Sequence, residues 1–253
     1  MQRYLYYNIV ISDKPIKVAI LMEQALKITN VLSDPTRYYI YKYISQKHTE
    51  VTVQEIADEF DIHPNVARLH LSKLEDVNML KSETKKTGKG GRPSRLYALS
   101  DDVIQLQFPF RDYQLLAQIA CNTLFSLGEV GEKALYETGK KFGKELMEQQ
   151  MNRLNRNENE LTVEQKIQIA KEALSTAGLS PEFELSTDRS KIFYDVYNCP
   201  FKEVAVHHPK EVCNMHVDMM KGIFEVLFPN MELTRDDTMF ETGCKSCNYH
   251  LHM

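Results

Sequence analysis

Residues 52–99 read TVQEIADEFDIHPNVARLHLSKLEDVNMLKSETKKTGKGGRPSRLYAL, and they decide how the N-terminal part of the chain folds. Apolar residues recur at helical spacing in two short stretches, which are separated by DIHP. Thr52 can cap the first stretch, and Pro64 suits the first turn of the second. The segment therefore predicts a helix, a tight turn, a second helix and then a basic hairpin.

This order of parts is that of a winged helix-turn-helix, a fold that reads duplex DNA. Arg68 in the second helix can donate two hydrogen bonds to the edge of a guanine, and Asn65 can pair with adenine or bind a phosphate. The candidate DNA-reading residues of this helix are Asn65, Arg68, His70, Ser72 and Lys73. All but His70 lie three to four residues apart and can share one face. The residues expected to be buried, in some combination, are Val66, Leu69, Leu71, Leu74 and Val77.

The hairpin that follows is rich in basic residues, with only Glu83 opposing them. Such a wing contacts phosphates or enters the minor groove, and the glycines of GKGG let backbone amides approach the DNA closely. A solvated charged face on a small helical bundle is the alternative. Helix order, wing and charge asymmetry together favour DNA binding, with the wing contributing Lys85, Lys86, Lys89, Arg92 and Arg95.

Charge is distributed unevenly along the chain of 253 residues, which has a formal net charge of −4. Residues 1–100 contain 15 Lys and Arg against 11 Asp and Glu, whereas the remainder contains 16 against 24. A basic N-terminal part joined to an acidic one suits a DNA-binding module with a regulatory module. No apolar run approaches 18 residues and no secretion signal is recognisable, so we expect a cytoplasmic protein that does not bind a membrane.

The rest of the chain predicts a mainly α protein with an α+β C-terminal domain. We expect a winged helix-turn-helix domain over 1–100 and a linker with dimerisation helices over 101–160. A C-terminal α/β domain that carries cysteines and acts as the sensor is expected over 161–253, where helices alternate with short β-branched or aromatic stretches.

Four of the five cysteines lie in the last 55 residues of the chain. In a cytosolic protein, spaced cysteines are more often metal ligands or redox groups than disulfides. GCKSC is a chelating pair, and Cys213 and His216 can point the same way from one helix. The candidate ligands are Cys199, Cys213, His216, Cys244 and Cys247. A lone cysteine can also be a small buried hydrophobe, which is our expectation for Cys121.

Two kinds of metal chemistry fit these five donors. An iron–sulfur cluster takes mainly thiolates and is easily lost, which makes it a sensor. Zinc takes a tetrahedral set of three or four Cys and His and is more often structural. Both remain open from the residues alone.

The N-terminal part resembles the ArsR-like winged-helix regulators. LSDPTRYYIYKYI is similar to their second helix, and TVQEIADEFDIHPNVARLHLSKLEDVNML to their helix-turn-helix core, over about residues 17–99. Metal-responsive members of that family carry paired cysteines near the recognition helix. Residues 50–80 contain no cysteine, so the resemblance does not supply the signal.

The C-terminal part resembles the Suf-operon repressor family on NCPFKEVA and HPKEVCNMHVDMMKGIFEVLF. The resemblance implies a homodimer, an iron–sulfur cluster with Cys199 and Cys213 among its ligands, and a further cysteine near the C-terminus. This chain departs from the pattern in its terminal CxxC and in His216 as an additional donor.

Three functions follow as expectations. The first is a homodimeric regulator, expected to be a repressor, in which an iron–sulfur cluster or metal at the C-terminal cysteines alters operator binding and helices at 111–150 form the dimer interface. The second is a winged-helix regulator with structural zinc and a small-molecule effector. The third, a thiol oxidoreductase, is disfavoured because Cys244 and Cys247 lack the βαβ context of such enzymes.

Overall fold

The computed structural model describes residues 14–85, 94–106, 111–241 and 244–252, with side chains from residue 23 onward. The chain divides into two compact units between Phe110 and Arg111. Helices predominate, together with two antiparallel sheets, as the sequence predicted for the fold class.

Unit 1 contains the predicted helix-turn-helix. Its elements are α1 (Lys14–Leu32), α2 (Pro35–Lys47), β1 (Val51–Thr52), α3 (Val53–Glu59), α4 (Pro64–Glu75), β2 (Leu80–Lys85) and β3 (Ser94–Leu99). The strands form an antiparallel sheet in the order β1-β3-β2. The Thr52 hydroxyl accepts the Glu55 N–H and caps α3 as predicted. The largest fully buried side chains of the unit are Ile40, Ile44, Ile56, Leu71, Leu74 and Tyr97.

Unit 2 places three long helices and a sheet around one core. Its helices are α5 (Tyr113–Ser126), α6 (Glu129–Leu154), α7 (Val163–Thr176), α8 (Lys202–Ala205) and α9 (Pro209–Leu227), with a 3-10 turn at Glu158–Glu160. Its strands are β4 (Pro181–Leu185), β5 (Lys191–Val196), β6 (Glu232–Asp237) and β7 (Cys247–His252). They form an antiparallel sheet in the order β4-β5-β7-β6.

Of the segment 101–160, expected to form a linker and dimerisation helices, residues 111–160 lie in unit 2, where α6 packs along α9. Glycines let the two backbones touch. A Cβ at Gly143 would lie 2.0 Å from the carbonyl oxygen of Met219, and a Cβ at Gly222 would lie 2.1 Å from that of Lys140. Neither position has room for a side chain, so α9 is held directly against α6.

Candidate functional site

Helix α4 is anchored by its buried face. Ala67, Leu71 and Leu74 are buried in the core of unit 1. At the start of the helix, Nδ1 of His63 accepts the Asn65 N–H at 3.2 Å, and Pro64 occupies the first turn. The opposite face of α4 is therefore turned outward.

The outward face of α4 carries most of the residues predicted to read DNA. Asn65, Arg68 and Lys73 are exposed, and Ser72 is half-buried. Nη1 of Arg68 donates to Oδ1 of Asn65 at 3.1 Å, which holds the two side chains together. These four residues share a face, and their role in DNA binding stays a prediction.

His70 does not share that face. It is 8% exposed, and its Nδ1 lies 3.9 Å from Oδ2 of Asp34 without a hydrogen-bond partner. Burial lowers the pKa of His70, the carboxylate of Asp34 acts in the opposite direction, and Arg37 lowers it further. The prediction that His70 faces DNA on this helix is corrected, because α4 turns that position toward α2.

Val66 and Leu69 were expected among the buried residues and are instead exposed, to 41% and 55%. The buried stripe of α4 runs through Ala67, His70, Leu71 and Leu74. Each of the two apolar residues precedes a buried one by a single position, which turns it away from the core by about 100° in a 3.6-residue helix. Two apolar side chains therefore lie on the same outward face as Asn65 and Arg68.

Two of the five wing residues predicted to contact DNA are described, and both are paired within unit 1. Nζ of Lys85 donates to Glu50 at 2.6 Å. Nη2 of Arg95 donates to both carboxylate oxygens of Glu75, at 2.8 and 2.7 Å, and its Nε donates to Ser82. The predicted residues that lie outside the described part of the chain are Lys86, Lys89 and Arg92.

In unit 2, four of the five predicted ligands line one cavity of about 10 Å³: Cys199, Cys213, His216 and Cys247. They come from three places in the chain, since Cys199 follows β5, Cys213 and His216 lie on α9, and Cys247 begins β7. Sγ of Cys199 lies 3.9 Å from Nδ1 of His216. The fold therefore gathers three thiols and an imidazole from three separate parts of the sequence.

Cys244 is not among the residues that line this cavity. The two cysteines of the predicted chelating pair thus differ in location, because Cys247 is the first residue of β7 and Cys244 lies in the turn before it. Cys121 also departs from expectation. It is half-buried on α5, a helix without a buried residue, rather than part of the core.

The cavity keeps its thiols protonated. Burial raises the pKa of Cys199 to about 12, and a hydrogen bond from the Phe201 backbone acts in the opposite direction. Burial also raises the pKa values of Cys213 and Cys247. The Met239 N–H donates to Sγ of Cys247 at 3.3 Å. Backbone N–H groups directed at sulfur favour a thiolate, which is the form that binds metals.

Arg235 is a cavity residue that sequence reasoning missed. It lies on β6 opposite Tyr249 and lines the cavity with the thiols. Its Nη1 is buried and has no hydrogen-bond partner. Its positive charge lowers the pKa values of Cys213 and Cys247, against the larger effect of burial. No sequence signal singled it out, because its position depends on the pairing of β6 with β7.

His216 faces the same environment. It is 3% exposed, and burial lowers its pKa to about 4, with Arg235 acting in the same direction. The imidazole is therefore neutral at pH 7, as a metal ligand must be. Its Nε2 is buried without a hydrogen-bond partner.

The residues that line the cavity are of the types that bind metal ions. Three sulfurs and a neutral imidazole are the donors of a Cys₃His site, and the Arg235 guanidinium, whose Nη1 has no hydrogen-bond partner, would match its negative charge. Their positions are not those of a formed site. Among the residues that the structure describes, no group of three or more His, Cys, Asp or Glu side chains is arranged to hold a metal ion.

Comparisons with known proteins bear on unit 1. Residues 32–83, about a fifth of the chain, match a family described as a helix-turn-helix domain. This match supports a regulator of the winged helix-turn-helix kind, to which the ArsR-like proteins belong, rather than an enzyme. No curated protein is significantly similar to the chain.

One solved structure with some likeness is that of a trafficking protein particle complex subunit 3 from Naegleria fowleri, covalently bound to palmitic acid. It is 15% identical, and the match covers 55% of this chain and 95% of that one, with a TM-score of 0.40. A likeness at that level says nothing about function. Among the helices that the structure describes, none combines the length and the apolar character that a bilayer span requires.

Proposed function

We propose that the protein is a transcription regulator that binds duplex DNA through the outward face of α4 and is controlled by a metal ion at the thiol cavity of unit 2. The observation that carries the proposal is that Cys199, Cys213, His216 and Cys247 line a single cavity in the unit that does not contain the helix-turn-helix. DNA binding itself is supported by the helix-turn-helix match at residues 32–83.

The size of the cavity favours a single ion, with zinc as the first candidate. A volume of about 10 Å³ leaves room for about one water molecule. An iron–sulfur cluster, which the family resemblance implied, would need a larger space between the same side chains. Zinc prefers four donors of this sulfur and nitrogen composition.

A bound ion would be held by Cys199, Cys213, Cys247 and His216. When bound, it would supply a cross-link between the end of β5, α9 and β7 and would replace the three thiol protons. The chain's own contribution is to bury the donors, to direct backbone N–H groups at two of the sulfurs and to place the Arg235 guanidinium beside them.

A second copy of the chain would complete the regulator, because helix-turn-helix proteins read two half-sites as dimers. Helix α5 is the proposed interface. It has no buried residue in the described structure, although Tyr113, Leu116 and Ile119 are each more than half exposed along it. Metal binding would act by stabilising one of two dimer arrangements, which requires a different metal affinity in each.

The decisive experiment is metal analysis of the full chain purified without oxygen, combined with DNA binding before and after metal removal. We expect one zinc per chain, no absorption in the visible range, and a changed affinity for a selected duplex when a chelator removes the zinc. Iron and sulfide in equal amounts would indicate the cluster instead. A chain that holds no metal, or DNA affinity that ignores the metal, would refute the proposal.

A further inference from the structure

We propose that Leu69, together with Val66, contacts the 5-methyl groups of thymines in the major groove and so contributes to sequence preference. The inference rests on the DNA binding proposed above and goes beyond it by naming a second, apolar kind of base contact. It does not depend on the metal.

Leu69 lies at the centre of the outward face of α4. In a helix, a side chain has as neighbours those three and four positions away, and for Leu69 these are Asn65, Val66, Ser72 and Lys73. None of these neighbours belongs to the core of unit 1, and Leu69 and Val66 are themselves exposed, to 55% and 41%. If Asn65, Ser72 and Lys73 enter the major groove, Leu69 must enter it with them.

The chemistry of the groove identifies what an apolar side chain can read there. Thymine is the base that presents a methyl group in the major groove, whereas the other base edges present hydrogen-bond donors and acceptors. Leucine and valine side chains have no polar atom. They gain free energy from a methyl group and none from a bare donor or acceptor, so thymine is the base that fits them.

The contact can be tested by removing the methyl group alone. Duplexes that bind the full chain would be selected from a random 30-base-pair library, and the best one would be resynthesised with deoxyuridine in place of each thymine in turn. We expect one or two replacements to weaken wild-type binding about threefold to fivefold each, since one buried methyl group contributes about 0.8 kcal/mol.

At the thymine that Leu69 contacts, the variant Leu69→Ala should bind the thymine and deoxyuridine duplexes equally, within about twofold. Leu26→Ala is the matched control, because Leu26 is an exposed leucine, to 69%, on a different helix, α1. It should keep the full response. Val66→Ala should reduce the response at a different thymine from that affected by Leu69→Ala.

Two results would overturn the inference alone: wild-type protein that binds the duplex but ignores every deoxyuridine replacement, or Leu69→Ala and Val66→Ala variants that both respond as the wild type does. A wild-type chain that enriches no duplex and shows no salt-dependent binding would overturn the proposed DNA binding itself. The two failures are therefore distinguishable.

Discussion

Helices α4 and α9 have similar first turns and each buries a histidine, but the two histidines lie in different environments. Each has a proline in its first turn, Pro64 or Pro209, directly after a histidine, and each buries a second histidine further along. His70 is 8% exposed and His216 is 3% exposed. The sequence pattern predicts a DNA contact for the first and a metal ligand for the second, although both side chains are buried.

The two histidines differ in the charged groups that surround them. His70 lies beside the carboxylate of Asp34, which favours its charged form, whereas His216 lies beside the guanidinium of Arg235, which disfavours it. His216 also has the thiol of Cys199 within 3.9 Å. His216, buried among thiols and beside a cation, stays neutral and is therefore suited to bind a metal. His70, buried beside a carboxylate, is better interpreted as part of the core.

The largest effect should come from the cavity. Cys213→Ser should remove zinc binding, with a loss of affinity of about 100-fold or more, because it deletes one of four donors. Cys244→Ser is the matched control and should keep wild-type affinity, since Cys244 does not line the cavity. Competition with a chromophoric chelator measures both. Equal loss in the two variants would show that the CxxC pair predicted from the sequence is the true chelating unit.

Arg235→Gln should weaken zinc binding about 10-fold to 100-fold, the range for groups that support metal ligands. The reason is that three thiolates and a neutral imidazole leave a bound Zn²⁺ with a net negative charge. Arg235→Lys should retain most of the affinity, because it keeps the positive charge. The same chelator competition applies, with Arg153→Gln on α6 as the control. If Arg235→Gln binds zinc as the wild type does, the charge of Arg235 does not support the metal site, and charge no longer explains why His216 and His70 differ.

On the DNA side, Arg68→Ala should weaken binding to the selected duplex by about 1–3 kcal/mol and relax the preference at one base pair. Lys85→Ala should instead weaken all sequences alike and reduce the salt slope by about one. Fluorescence anisotropy at several salt concentrations separates the two patterns. A loss that is uniform across sequences for Arg68→Ala would mean that Arg68 contacts a phosphate.

The smallest effect concerns His70 and pH. Its pKa in the folded chain lies below the ordinary value of 6.5, so the unfolded chain binds more protons as the pH falls. The stability that neutral His70 contributes is present above pH 6.5 and is lost as the pH falls from there through the folded pKa. His70→Gln should reduce the pH dependence of urea unfolding between pH 7 and 5. An unchanged pH dependence would contradict a protonation cost at His70.

The helix-turn-helix was predictable because its signals are local. Thr52 and Pro64 mark helix starts, and the apolar spacing of α3 and α4 places Ile56 and Leu71 in the core. The same spacing could not say which side of α4 is buried. Val66 and Leu69 fit a buried stripe as well as Ala67 and His70 do, until α2 and α3 are in place.

The cavity was predictable only in part. The donors were chosen for their chemistry, and four of them line one cavity. Their selection from the five candidates depends on the turn before β7, which separates Cys244 from Cys247. Arg235 depends on the register that sets it opposite Tyr249, and neither spacing nor composition carries that information.

The close approach of Gly143 to the Met219 backbone and of Gly222 to the Lys140 backbone determines which parts of the cavity can adjust. With backbone against backbone, α9 cannot slide or rotate along α6 without a clash, so Cys213 and His216 have fixed starting points. The donors are not arranged to hold an ion as they stand within the described residues. Closing the site therefore falls to Cys199 and Cys247, which reach it from the end of β5 and the start of β7. The ends of the two central strands, β5 and β7, rather than the helices, are therefore where a response of unit 2 to metal would begin.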